Sequence, residues 1–264
     1  MRVGFTIAFN AKHHFEHNDY AEYLAKEVFD YWVIVEGPAG NAGSTAWCRK
    51  IHERWTNSDG NSVDGTLEYL EGLASRHTNV SVISSSFWTS KDHMVNAALA
   101  DIAVYTDNLS EDVFLWEIDA DEQWTAEDLS GAEDLLNATK TDCGEFLADY
   151  YVGKDLLAVG EWGEGKKIPY RRLWRWQGQM FESHEPPKLC GGNGKAILLP
   201  QRFKHYAYYF PQDVRFKEEF YTGHENIFDR WKEIQDYSKD EFPLHISALI
   251  TGSWGQTNTE IVKI

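Results

Sequence analysis

The apolar positions in the first half of the chain alternate between two textures. Runs of consecutive apolar and β-branched residues, "RVGFTIAF" (Arg2–Phe9), "YWVIVEG" (Tyr31–Gly37), "VSVISSS" (Val80–Ser86) and "VFLWEID" (Val113–Asp119), predict strands. Between them, apolar residues spaced by three and four predict helices over His17–Phe29, Val63–His77 and Thr89–Tyr105, and another in "AEDLSGAEDLLNAT" after Trp124. Asn18 or Asp19 and Thr89 or Ser90 are candidate N-caps, and Thr125 with Asp128 reads as a capping box. Unbroken apolar strands are those covered on both faces. The alternation therefore predicts an α/β protein with a mostly parallel, doubly wound sheet. From Cys143 the texture changes. "GEFLADYYVG", "YRRLWRWQG", "AILLP" and "RFKHYAYYF" are strand-like with little helix between them, which predicts added antiparallel strands, and the tail from Phe216 reads as mixed helix and loop. No repeat, low-complexity tract or Pro-rich linker divides the 264 residues, so one domain is expected over 1–264.

The fourth strand ends abruptly in acid: Asp119, Asp121 and Glu122 lie within four residues, with Glu117 just before. Bare carboxylates this close repel, so a positive partner is expected. Open α/β sheets bind ligands beyond the carboxyl ends of their strands. In an extended D-x-D, side chains two apart point the same way, so Asp119 and Asp121 could address one cation. Hard oxygen ligands suit Mg²⁺ or Mn²⁺, which also bind substrate phosphates. The structural alternative is an acidic turn that favours the dipole of the following helix.

Composition narrows the field. A formal charge of −17 and a pI near 4.9 argue against nucleic acid as a partner. Cys48, Cys143 and Cys190 are far apart and form no CxxC pattern, as expected of a reducing compartment. The N-terminal apolar run is too short for a signal peptide, and no stretch is long enough for a membrane span, so a cytoplasmic protein is expected.

"FLWEIDADEQW" resembles the WxxDADE strand end of family-2-like glycosyltransferases of the GT-A fold, and other segments follow in that family's order. "FTIAFNAKHH" is similar to its opening strand and loop, and "VFDYWVIVEGPAG" to its second strand. "WTSKDHMVNAALADI" resembles the helix that carries an Asn, here Asn96. "RRLWRWQGQMFESHEPP" resembles the RLFR…G…HE segment and "FKHYAYYF" the later HYGY strand, so the likeness spans about 2–220. It implies a metal-dependent transferase that moves a sugar from a nucleotide-diphosphate sugar to a glycan or other hydroxyl acceptor, with inversion. It divides the domain into a nucleotide-sugar-binding half (1–125), an acceptor-side half (126–215) and a C-terminal helix and tail (216–264). By the same resemblance Asp121 ligates the metal, Asp119 contacts ribose or a metal-bound water, and His205 is the C-terminal metal-binding histidine, for which manganese is the preferred ion. Glu185 matches the acid that deprotonates the acceptor hydroxyl, with Glu182 and Glu122 as rivals. Glu36 matches the acid that reads the nucleoside, Ala8 and Asn10 line the base pocket, Asn96 faces the donor, and Lys217 joins Arg171, Arg172 and Arg175 as cations placed to meet phosphate or acceptor. Trp124 could stack on a sugar. Two departures stand out: Glu36 replaces the more usual Asp, and Asp92-His93-Met94-Val95 stands where an Arg often precedes the Asn.

Two other classes fit less well. A sugar-phosphate nucleotidyltransferase needs a Gly-rich cationic loop after the first strand, where this chain has "NAKHHFEHND". A non-catalytic carbohydrate-binding protein would suit the 11 Trp and 13 Tyr but not the βαβ half.

Overall fold

The computed structural model describes residues 1–107, 112–164 and 169–264. The four apolar runs form β1 (Arg2–Ala8), β2 (Tyr31–Glu36), β3 (Val80–Ser84) and β4 (Val113–Glu117), parallel and in the spatial order β3-β2-β1-β4. Their alternate side chains serve two cores. Trp32, Ile34 and Trp116 pack with Leu70 and Leu73 of α3 (Thr66–Arg76) and with Leu129 and Leu136 of α5 (Ala126–Thr139). Val33, Val35 and Leu115 pack on the opposite face with Val95, Leu99 and Ile102 of α4 (Lys91–Thr106). This is the mostly parallel, doubly wound layout that the sequence predicts. Ser90 caps α4 by accepting from the His93 N–H, and Thr125 caps α5 by accepting from the Asp128 N–H.

The helix expected over His17–Phe29 is broken. α1 starts earlier (Lys12–Glu16), and Asn18 and Asp19 take left-handed φ of 59° and 53° and cap nothing with their side chains. α2 (Tyr20–Tyr23) then runs into a π turn over Leu24–Val28. The break presents two tyrosine hydroxyls to the segment beyond the acidic turn: the Trp124 N–H donates to Tyr20 at 2.8 Å and the Ala126 N–H to Tyr23 at 2.5 Å. Tertiary contact overrides the helical period here.

The remainder widens the sheet. Beyond β4 lie β8 (Tyr170–Trp176), antiparallel to it, then β6 (Cys143–Gly153) and β7 (Leu156–Gly160), while the short β5 (Glu122–Gln123) pairs off this path. β9 (Phe181–Ser183) and β10 (Lys188–Leu189) form a separate pair. "AILLP" and "RFKH" join into one strand, β11 (Ala196–His205), which is parallel to β6 and antiparallel to β5. The "AYYF" that follows is not strand. β12 (Leu244–His245) and β13 (Thr259–Lys263) complete the edge against β7. A third core joins Val152, Leu156, Ala158 and Ile261 to Val214 of α7 (Pro211–Phe220) and to Ile227 and Ile234 of α8 (Ile227–Gln235), with the short α6 (Glu161–Glu164) after β7. No helix among the described residues is long and apolar enough to cross a membrane.

Candidate functional site

A cavity of about 760 Å³ opens above the carboxyl ends of β1 and β4. Its floor is the acidic stretch that ends β4. Strand geometry stops at Glu117, and a turn follows in which the Glu122 N–H donates to the Asp119 carbonyl at 3.0 Å. Residues 119–122 therefore form a turn, and the two aspartates meet different cations rather than addressing one.

The first cation is Arg172 on β8, which is buried. Its guanidinium donates to both oxygens of Glu122 (Nε at 3.0 and 3.2 Å, Nη2 to Oε1 at 2.8 Å) and to Asp119 at 2.8 Å, and it stands 3.5 Å from Glu117. Burial pushes the Glu122 carboxyl up to about 7, with Arg172 pulling it back. His184 Nδ1 lies 3.1 Å from Glu117. Burial disfavours the charge on His184, but Glu117 outweighs it and raises the imidazole. Most of the positive charge expected at the strand end thus belongs to the protein. Glu117, Asp119 and His184 bring ligand atoms within 4.8 Å of one another, and Arg172 already donates to Asp119 and stands beside Glu117.

Asp121 faces the other way. Its oxygens lie 3.5 Å from His205 Nε2 at the end of β11 and 3.4 Å from Lys217 Nζ on α7. Burial opposes its charge, yet His205 and Lys217 hold the carboxyl well below the usual range. Lys217 also donates to the Ala207 carbonyl and lies over the Tyr208 ring at 4.8 Å. Two ligands bound side by side at about 2.1 Å from a divalent ion stand about 3 Å apart. A carboxylate and an imidazole 3.5 Å apart on the cavity wall fit that donor set, and His205 Nδ1 is buried without a hydrogen-bond partner.

Glu185 lines the cavity and receives a hydrogen bond from Lys91 Nζ at 2.8 Å. Burial raises its carboxyl, but Lys91 and His184 prevail and keep it below its ordinary value, hence ionised. Asp92 has a structural role beside Glu185. It accepts from the His184 N–H at 2.8 Å and from the Ser44 hydroxyl at 2.5 Å, and the Ser44 hydroxyl accepts the Glu185 N–H at 3.1 Å. Asp92 therefore pins the Glu185 backbone.

At the β1–β2 end, Ala8 and Asn10 line the cavity. Asn10 adopts φ of 51°, and its side chain donates to the Trp55 carbonyl and accepts from the Val63 N–H. Gly37 lines the same end with φ of 129°, and a Cβ there would come within 2.1 Å of the Ser85 carbonyl oxygen, so only glycine fits. Glu36 is fully buried and is not part of the lining. One of its oxygens accepts from the Ser62 N–H and hydroxyl, the other has no partner, and burial raises its carboxyl.

Glu36 thus departs from its expected place at the nucleoside, and two further expectations are corrected. Asn96 is not part of the lining, because its amide is spent on the Phe181 backbone, donating at 3.0 Å and accepting at 2.8 Å to anchor β9. Trp124 is buried and stacked on Phe203 at 4.6 Å, so it belongs to the core. Of the other cations named from sequence, Arg171 pairs with Glu145, while Arg175 donates to Asn137 and to the Thr141 carbonyl.

Sequence reasoning missed Lys91, His184 and a second carboxylate–imidazole group. His13 and His14 sit 3.0 and 2.9 Å from the two oxygens of Asp213, tying α1 to α7. The paired histidines in "AKHHFEH" were visible, but their acid lies 200 residues away.

No family profile and no curated protein sequence matches the chain. Among solved structures, it is similar to S. aureus TarS 1–349 in complex with UDP-GlcNAc, at 12% identity and a TM-score of 0.44 over 87% of this chain and 70% of that one. It is also similar to S. aureus TarS, at 14% and 0.45, over 93% of this chain but 45% of that one, so it spans less than half of that protein. A 4-diphosphocytidyl-2C-methyl-D-erythritol synthase structure is similar at 13% and 0.36, over 66% and 74%.

Proposed function

We propose that the protein is a glycosyltransferase that takes a nucleotide-diphosphate sugar as donor and transfers the sugar, with inversion, to an acceptor hydroxyl. The observation that carries this reading is convergence: Asp119, Asp121, His205, Lys217 and Glu185, from four separate segments, line one cavity. Ala8 and Asn10 form the nucleoside end. Asp121 and His205 would hold a divalent cation, Mn²⁺ or Mg²⁺, which when bound supplies Lewis-acid neutralisation of the leaving diphosphate. Lys217 adds a fixed positive charge beside it, and Arg172 orients Asp119 toward the donor. Glu185, kept ionised by Lys91, takes the proton of the acceptor hydroxyl while that oxygen bonds to the anomeric carbon; the bond from that carbon to the diphosphate breaks and its electron pair leaves with the nucleotide. Walls lined by aromatic rings exclude water that would otherwise hydrolyse the donor.

Isothermal titration with UDP, GDP and dTDP, each with and without Mn²⁺, tests the reading. Metal-enhanced binding of one nucleotide is expected, and its absence for all three overturns it. A carbohydrate-binding protein without catalysis is the second reading, favoured by the aromatic wall; it predicts glycan binding with no nucleotide binding.

A further inference from the structure

The 11 tryptophans do not share one role. Only Trp47 and Trp254 are exposed, at 36% and 47%, and both line the cavity. Their ring centroids are 6.4 Å apart, with planes tilted by 42°. Trp254 continues to the edge of Trp162 at 6.3 Å, Trp162 stacks on Tyr208 at 6.1 Å, and on the other side Trp47 meets Tyr221 at 5.0 Å. All five rings line the same cavity, forming a continuous aromatic arc. Exposed indoles that no core requires, contiguous and inside a concavity, are a surface made for a ligand.

Two further observations say what the ligand is. Trp162 is more than nine-tenths buried, lines the cavity, and its indole N–H has no hydrogen-bond partner. A buried donor left unpaired costs stability unless a ligand supplies an acceptor. Trp47 and Glu185 both line this cavity, so a ligand stacked on Trp47 shares it with the proposed base. The ligand therefore has a flat apolar face for the rings, an oxygen acceptor for Trp162 and a hydroxyl at its edge. A pyranose ring offers all three. The protein's formal charge of −17 disfavours a polyanionic acceptor.

We propose that the end of the cavity bounded by Trp47, Trp162 and Trp254 is an acceptor subsite for an uncharged pyranose ring of a carbohydrate. The proposal rests on the glycosyltransferase reading for its direction of transfer, but the binding it describes is measured separately.

The experiment titrates the wild-type chain with cellotetraose, maltotetraose and a Ser/Thr-rich peptide, following tryptophan fluorescence, and measures Mn²⁺–nucleotide binding on the same samples. Saturable quenching by an oligosaccharide is expected, weakened at least tenfold in Trp254→Ala and in Trp47→Ala. The exposed Phe87, outside the cavity, serves as control, and Phe87→Ala retains wild-type quenching. If neither oligosaccharide quenches, or the peptide alone does, the subsite proposal is overturned even where nucleotide binds. If Trp254→Ala binds oligosaccharide as tightly as wild type, the arc is not the site. Oligosaccharide binding without any nucleotide binding keeps the subsite and overturns the transferase reading.

Discussion

Two halves of one acidic turn behave differently. Glu122 and Asp119 are held by Arg172 at 2.8–3.2 Å in a buried ion cluster, with Glu117 alongside at 3.5 Å and His184 3.1 Å from Glu117, so the protein itself supplies compensating charge. Asp121, two residues past Asp119, meets His205 and Lys217 only at 3.5 and 3.4 Å, at the cavity wall. Short contacts from one guanidinium fix a structure. Longer contacts from an imidazole and an ammonium leave room for an exogenous cation beside them. A row of acids that looks uniform in sequence is thus part scaffold and part candidate ligand.

Breaking the closed half should have the largest effect. Arg172→Met leaves buried carboxylates without their partner, and urea unfolding should show a loss of about 3–5 kcal/mol. A loss within experimental error would mean that the cluster is not the structural half.

The open half should respond in binding instead. Asp121→Asn is expected to weaken Mn²⁺-dependent nucleotide binding by about 100-fold, or roughly 2.7 kcal/mol, as read by titration. The apo-protein should also melt lower, because Lys217 and His205 lose their counter-charge. Mere relief of carboxylate repulsion, the expectation from sequence, predicts an unchanged or higher melting temperature.

Acid titration sharpens the comparison at α7, the helix that carries Lys217. Burial favours the neutral form of Asp213, but His14 and His13 prevail and lower it to about 2. A carboxyl depressed from about 3.8 contributes stability that is fully present above about 3.8 and lost as pH falls through about 2, a term of roughly 2 kcal/mol. Asp213→Asn should flatten the stability curve in that window, measured by urea unfolding between pH 5 and 2. The same slope in mutant and wild type would show that the α1–α7 tie is not made.

The smallest effect concerns a residue that the motif order assigns to the donor. Asn96→Ala removes two hydrogen bonds to β9, so a loss of about 1–2 kcal/mol is expected, with nucleotide affinity within twofold of wild type. A tenfold loss of affinity would return Asn96 to the site.

The first half of the fold was legible because its strands are continuous apolar runs and its helices obey a short period. Both are local patterns. The kink at Asn18 and Asp19 was not legible, since it is set by hydrogen bonds that Tyr20 and Tyr23 accept from residues about 100 positions away. Of the residues that line the cavity, Asp119, Asp121, His205, Lys217 and Glu185 could be named from sequence because they lie in or beside an ordered set of segments. Lys91, His184 and the Asp213 tie could not, because each acts through a partner remote in the chain.

By itself the sequence determined that a rigid apolar strand would end in clustered acid, that the sheet around it would be α/β, and that a positive partner had to exist. Repulsion between near neighbours is a local fact, and local facts survive in one dimension. Only the tertiary structure decided which cation serves which acid. Arg172 reaches Asp119 because β8 lies beside β4, and His205 and Lys217 reach Asp121 because β11 and α7 close over the turn. It likewise selected Trp47 and Trp254 from 11 tryptophans, because exposure depends on what the rest of the chain leaves uncovered.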